Sequence, residues 1–355
     1  MSDLVLAVNP GAGSTKAALF RGGEKVAEHA ERHADAELAG FPRIADQLGW
    51  RARGVRAFLA RAKVGRGGLG AVVGRGGLLR PVESGTYLVD AAMLRDSERA
   101  ERGEHAANLG PPLANLLAEE HGCPALVVDP VSVDELDAVA RLSGLEGVPR
   151  RSLCHALNMR AVARRHAASV ARRVEDLKLV VAHLGTGASL SAQRGGRLVD
   201  VVNPQDEGPF SGDRAGAVPV TAVIELCFAR GADERALRRR LFGEGGLYSY
   251  LGTRDVREAA EQAARGDATA ALVLDAMAYQ IAKAVGEMAV ALSGEVDAIL
   301  LTGGAAHAGA LVAAIRRRVE WIAPVFVYPG EDELAALAEG ARRVLTGEEQ
   351  PRRYG

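Results

Sequence analysis

The 355-residue chain is long enough for one large domain and better suited to two. It is 48% hydrophobic and 25% charged, with 42 glycines and a formal net charge of -1, the profile of an ordinary globular protein. Balanced charge and only 4% aromatic residues argue against nucleic-acid binding, and no apolar run of the roughly 18 residues needed to cross a bilayer is expected.

The N-terminus offers no export signal, because Asp3 sits where an apolar core would begin. Cys123, Cys154 and Cys227 are scattered, odd in number and form no CxxC. They read as small buried hydrophobes in a reducing, cytoplasmic compartment.

In chain order, the first signal is "VLAVNPGAGSTKAALFRGG", from Val5 to Gly23. A Walker loop would place glycine before Lys16, where Thr15 stands. A dinucleotide fingerprint would place a third glycine where Lys16 stands. Both would continue into a long helix, yet only the six residues Thr15 to Phe20 precede the tight turn Arg21-Gly22-Gly23-Glu24. The segment therefore predicts strand, small-residue turn, strand, tight turn, strand. Short strands follow at Ala71 to Val73 and Ala125 to Val128, with a helix from Pro112 to Glu120 and another from Ala156 to Val174.

The hairpin pattern then returns. Leu179 to Leu184 is a strand, Gly185-Thr186-Gly187 a turn, Ala188 to Gln193 a strand, Arg194-Gly195-Gly196 a tight turn, and Arg197 to Val202 a strand. Two such segments about half a chain apart suggest two related domains. Helices are expected at Val220 to Ala229, Thr253 to Arg265 and Ala268 to Leu292. A third glycine turn, "VDAILLTGGAAH", leads to a helix at Gly309 to Val319. A last helix runs from Asp332 to Leu345, and the tail after Thr346 reads as frayed. The mixture is α/β.

Two glycine-turn hairpins and a late "TGG" turn resemble the sugar kinase, Hsp70 and actin superfamily. Within it the chain resembles the acetate and butyrate kinase family, the butyrate branch most closely. The resemblance rests on "VNPGAGSTKAALF", "VVGRGGLLRPVESGTYLV", "HAANLG", "VVDPVSVDEL", "RRSLCHALNMRAVAR", "VAHLGTGASLSAQRGGRLVDVVN", "EGPFSGDRAGAVP", "YLGTRDVREA" and "AILLTGGAAH", and on the segment from Ile322 to Glu349, all in order. It implies two domains of duplicated actin-like, ribonuclease H-like ATPase fold around an active-site cleft, here 1–131 plus 333–355 and 132–332. The second would carry the adenosine site and dimer contacts.

It also implies phosphoryl transfer between ATP and a short-chain carboxylate, giving an acyl phosphate and ADP, with Mg2+. Such an enzyme would be a homo-oligomer, a dimer or higher, with no nucleic-acid or membrane partner. The alternative is an ATP-dependent binding or chaperone-like protein of the same superfold. A nicotinamide dehydrogenase is disfavoured by the missing third glycine and the missing helix.

Phosphoryl transfer needs phosphates held, a divalent metal, and cations where charge develops. The resemblance assigns Asn9, Gly11, Ser14 and Lys16 to phosphate binding at the first turn, and His183, Gly185 and Gly187 at the second. Gly303 and Gly304 would lie against the adenosine. Asn9, Asp129 and Glu333 are candidate metal ligands, with Glu331 and Asp332 as neighbours that also suit a helix cap. His155 and Arg214 would stabilise the transferring phosphoryl group, Arg214 also pairing with the carboxylate, and Arg75 is the second active-site arginine. The family carries hydroxyl residues where this chain has Ala12 and Gly13.

Overall fold

The structure, a computed structural model, describes residues 2–355. The chain divides into two compact units. One runs to Asp134 and takes in Ala156–Asn158 and Asp332–Gly355; the other holds Glu135–His155 and Met159–Glu331.

The first unit is built on a six-stranded sheet of β1 (Leu4–Gly11), β2 (Ser14–Arg21), β3 (Glu24–Arg32), β4 (Ala71–Arg75), β5 (Thr86–Leu88) and β6 (Ala125–Val128), in the order β3-β2-β1-β4-β6-β5. β1, β2 and β3 form an antiparallel meander, whereas β1, β4 and β6 run parallel. β1 is a nearly continuous apolar run and is buried from Leu4 to Pro10, as a central strand should be. β3 alternates exposed and half-buried residues, most of the exposed ones charged, which suits an edge. Helices Leu48–Arg61 and Gly110–His121 share one core with the sheet through Val55, Phe58, Leu113 and Leu117. Fully burying each such side chain stabilises by about 1.5–3 kcal/mol. The last helix, Glu333–Leu345, packs on β1 and β4.

The second unit repeats the scheme with β7 (Lys178–Leu184), β8 (Ala188–Arg194), β9 (Arg197–Val202), β10 (Ala298–Gly303) and β11 (Val325–Pro329), ordered β11-β10-β7-β8-β9. Again three antiparallel strands continue into a parallel pair. Even the irregularities match: β2 slips register against β3 between Leu19 and Phe20, and β8 against β9 between Ala192 and Gln193. Each slip lies just before an arginine that enters the tight turn, Arg21 and Arg194.

Several sequence expectations need correction. Helix Ala268–Ala291 has 24 residues and is long and apolar enough to cross a membrane by length and composition alone, so such a run does exist. In this fold it is a core helix, capped by Asp267, with Val273, Met277, Ile281, Val285 and Met288 buried along one stripe. The cysteines are not alike: Cys154 is buried, Cys123 half-buried and Cys227 exposed.

The tail after Thr346 is ordered. Arg352 bonds through its backbone N–H to Thr86 O and through its carbonyl to Leu88 N, extending the sheet at β5. Tyr354 is buried, donates its hydroxyl to Asp96 and accepts from the Arg80 N–H. The helix expected to reach Val174 stops at Ser169, and the one expected from Thr253 begins at Val256, capped by Asp255.

Candidate active site

In both units the candidate residues gather at the carboxyl ends of the parallel strands, where α/β sheets place their ligands. In the first sheet Val8 lies beside Gly74 and Arg75 beside Val128. Asn9, Arg75 and Asp129 therefore lie at or near the carboxyl ends of three adjacent strands. In the second sheet Thr302 lies beside His183 and Gly303 beside Pro329, which brings His183, Gly303 and the approach to Glu331 to the corresponding edge.

In the first unit Asn9, Arg75 and Glu333 form one cluster. Asn9 Nδ2 donates to Glu333 Oε2 at 2.5 Å, and the Arg75 guanidinium grips the same carboxylate through both nitrogens, at 3.1 Å and 3.0 Å. Asn9 Oδ1 is buried and accepts no hydrogen bond. An orphaned buried acceptor is costly without a partner. Beside a carboxylate, its chemistry fits a hard divalent cation, which takes oxygen ligands and keeps several waters. The described residues contain no cluster of three or more His, Cys, Asp or Glu able to hold a metal. A cation here would therefore rely on few protein oxygens.

Asp129 is buried with φ at 37°, a left-handed conformation costing a non-glycine residue about 1–3 kcal/mol. It is held there by reciprocal bonds: its Oδ1 accepts from Gly85 N at 2.7 Å, and its own N–H donates to Gly85 O. The strain fixes one carboxylate at the strand end.

Lys16 sits directly opposite Asn9 across the hairpin, so both side chains leave the same face of the sheet. Its side chain is exposed and makes no hydrogen bond or ion pair among the described residues. The connecting turn carries Gly11 and Ser14. Gly13 lies outside the left-handed region, and a Cβ there would meet nothing within 4 Å.

In the second unit His155 and His183 stack with ring centroids 3.9 Å apart and planes inclined by 12°. Each ring is tethered: His155 Nδ1 to Ser189 Oγ at 2.8 Å, and His183 Nε2 beside Glu331 Oε1 at 3.1 Å. The turn between β7 and β8 is shaped around these side chains. A Cβ on Gly185 would lie 2.9 Å from both Glu331 Oε1 and His183 Nε2, and one on Gly187 would lie 2.7 Å from Arg214 Nη1. Glycine at these two positions leaves the space that the functional groups fill.

The Arg214 guanidinium forms no hydrogen bond or ion pair among the described residues, although its backbone carbonyl accepts from Ser211 N. Burial pulls its guanidinium below the usual arginine range, against the field of Asp213. Burial likewise lifts the Asp213 carboxyl above its usual range, against Arg214 and Arg254. A half-buried guanidinium with unspent donors is suited to a planar oxyanion.

Gly303 has φ at 90° and its Cβ position is blocked by the Leu184 backbone at 2.4 Å, so only glycine fits. Gly304 faces open space. The three neighbouring acids divide their tasks: Glu331 meets His183, Asp332 caps the last helix by accepting from Ala335 N, and Glu333 holds Arg75 and Asn9.

Sequence reasoning missed Ser189 and Arg51. Ser189 was legible in principle, because it faces His183 across the second hairpin as Lys16 faces Asn9 across the first. Arg51 lies in a helix the sequence patterning did not mark; it is buried and bonds the carbonyls of the first turn.

Residues 143–325 match the model of the acetokinase family. The chain is 48% identical over 353 residues to a probable butyrate kinase from Enterococcus faecalis, covering 99% of this chain and 98% of the relative. Among solved structures, acetate kinase from Porphyromonas gingivalis aligns at a TM-score of 0.76 and 20% identity, covering 96% of this chain and 99% of the other. A propionate kinase from Francisella tularensis aligns at 0.76 and 18%, with the same coverage. These two establish a shared two-domain, actin-like ATPase fold. With both sheets, both glycine turns and near-full-length identity in agreement, the chain belongs to the acetokinase family.

Proposed function

We propose that the chain is a carboxylate kinase that moves a phosphoryl group between ATP and a short-chain fatty acid, butyrate or a short or branched relative, giving an acyl phosphate and ADP. The observation that carries this reading is the second glycine turn. Arg214 rests on Gly187 with its donors unspent, and Gly185 of the same turn abuts His183, which stacks on His155. Such a site is built for oxyanions. A carboxylate acceptor is already ionised near neutral pH, so its attack on phosphorus needs no general base. The forming bond joins a carboxylate oxygen to the γ-phosphorus as the bond to the ADP oxygen breaks, and the problem left to the protein is charge and alignment.

In this reading Arg214 pairs with the carboxylate and an equatorial phosphoryl oxygen, a bidentate role that lysine cannot copy. His155, fixed by Ser189, stabilises the planar phosphoryl group, and His183 orients the phosphates. Lys16 and the N–H groups of the first turn hold the nucleotide phosphates. Asn9, Asp129 and Glu333 would hold Mg2+, whose chemistry is to neutralise the bridging phosphate oxygens. Gly303 and Gly304 provide the backbone surface for adenosine.

Incubating the protein with ATP, Mg2+, butyrate and hydroxylamine tests the reading. Ferric-hydroxamate colour dependent on the acid supports it, and ATP loss without colour overturns it. A panel of propionate, butyrate, isobutyrate and longer branched acids, scored by kcat/KM, ranks the substrates, because each methylene in an apolar pocket is worth about 1–3 kcal/mol.

We also infer that the chain is a homodimer. Helix Val220–Phe228 is strongly apolar, has no buried residue, and exposes Val220, Ile224 and Phe228 at helical spacing. A second copy covering that face would appear as a dimer in sedimentation, and Phe228→Asp would shift it to monomer.

A further inference from the structure

The first hairpin turn lacks side-chain hydroxyls at Ala12 and Gly13, yet its backbone is tightly held from behind. Arg51, in helix Leu48–Arg61, is 1% exposed. Its Nη1 donates to Gly11 O at 2.9 Å, Ser14 O at 2.9 Å and Thr15 Oγ1 at 3.1 Å, and its Nη2 donates to Ala12 O at 3.3 Å. Gln47, one turn earlier, accepts from Nε at 3.0 Å and Nη2 at 2.8 Å and fixes the plane of the guanidinium. His33 supports the same corner, with Nε2 2.8 Å from Thr15 Oγ1 and its N–H on Gly13 O. All five N–H donors of the arginine are thus engaged.

Two features separate this from an ordinary structural arginine. Its partners are neutral oxygens, and it forms no ion pair among the described residues; Glu31 of β3 acts on it only through space. A fully buried charge of this kind is costly to desolvate. The second feature is direction. In a planar trans peptide the N–H points away from the carbonyl. With the carbonyls of Gly11 and Ala12 drawn onto Arg51, the N–H groups of Ala12 and Gly13 face away from the guanidinium.

We propose that Arg51 is a positioning residue for nucleotide phosphate: it aims the N–H groups of the first turn outward and sets a buried positive charge beneath them whose counter-charge is the bound polyphosphate. This rests on the phosphate-binding reading of the turn. Arg51 touches no phosphate itself and acts through the backbone. It supplies, from the second layer, the order and the attraction that hydroxyl side chains at Ala12 and Gly13 would otherwise add.

The test measures MgATP binding by calorimetry, the KM for MgATP and for butyrate, and the thermal shift produced by saturating MgATP, in the wild type, Arg51→Lys and Gln47→Leu. Lysine keeps the charge and loses the fork. Losing one charge-assisted contact pattern should weaken MgATP binding roughly 10-fold or more in Arg51→Lys and by a smaller factor in Gln47→Leu. The butyrate KM should change less than about 3-fold, and the MgATP-induced thermal shift should shrink in both variants. Should Arg51→Lys fail to fold, Gln47→Leu decides, because it keeps the guanidinium and removes its anchor. Wild-type MgATP affinity in a folded variant overturns the proposal. So does an equal loss for both substrates alongside a lowered Tm, which is a structural role only. A wild-type protein that binds no MgATP overturns the phosphate reading and this proposal together, whereas normal wild-type binding with unchanged variants overturns this proposal alone.

Discussion

The two glycine-turn hairpins share a backbone plan and differ in how their turns are held. In the first, Asn9 faces Lys16 across the strands; in the second, His183 faces Ser189 at the corresponding place. The first pair presents an amide and a solvated ammonium. The second is completely buried and supports a second imidazole, His155. The first turn is gripped from behind by Arg51 and stays open on its other side, since Gly13 has nothing near its Cβ position. The second is gripped from in front: Gly185 and Gly187 abut His183, Glu331 and Arg214, and Ser211 Oγ donates to Thr186 O. One scaffold, duplicated, therefore yields an open turn and a closely packed one, and in the proposed function these become a phosphate cradle and a cluster for charge stabilisation. Rigidity belongs where charge develops during the reaction, because preorganised donors need not reorient in the transition state.

Four variants separate these roles, the largest effect first. His155→Ala should lower kcat by about 100- to 1,000-fold, as expected for one stabilising donor, while MgATP affinity stays near wild type by calorimetry. An unchanged kcat would remove His155 from the rigid cluster. Lys16→Ala should raise the KM for MgATP by roughly 10-fold or more, because one ionic contact with phosphate is lost. The KM for the acid and the Tm should hold, since Lys16 is exposed and unpaired among the described residues; a raised acid KM instead would mean the turns have been assigned to the wrong ligands.

Gly187→Ala should cost about 10-fold in kcat/KM through displacement of the Arg214 guanidinium, an off-geometry penalty of roughly 1–1.5 kcal/mol. Finally, Ala12→Ser combined with Gly13→Thr should leave kcat/KM within about 3-fold of wild type or above it. Gly13 adopts no left-handed conformation and has room for a side chain. If this double substitution proves as damaging as Gly187→Ala, the contrast between an open and a closed turn fails.

Much of this was legible from sequence because it is local. Alternating apolar runs closed by glycine turns specify a hairpin whatever surrounds them, and both hairpins, the Gly303 turn and the helix Gly309–Val319 stand where patterning put them. What escaped was set by tertiary packing. Helix Leu48–Arg61 carries four arginines, one of them fully buried, so its apolar face is interrupted by a residue type that normally marks a surface. β5 has three residues and gains its partners from distant segments, β6 and the tail at Arg352. Such partners leave no local signature. The tail reads as frayed for the same reason, because its order depends on Tyr354 meeting Arg80 and Asp96 far upstream.

Chain order gives that tail a temporal meaning. The second unit is nearly continuous in sequence, whereas the first is opened by β1 and closed only by Glu333–Leu345 and the strand-like segment at Arg352. During synthesis at about 5–20 residues per second, β1 emerges with its neighbours but waits for the end of the chain before its covering helix exists. The second unit can complete its own sheet first, leaving the first hairpin and its turn the last part of the protein to mature. Nascent chains whose final 25 residues, Glu331 to Gly355, are still held inside the ribosome should accordingly resist protease from Glu135 onward and remain cleavable in the first hairpin until those residues emerge.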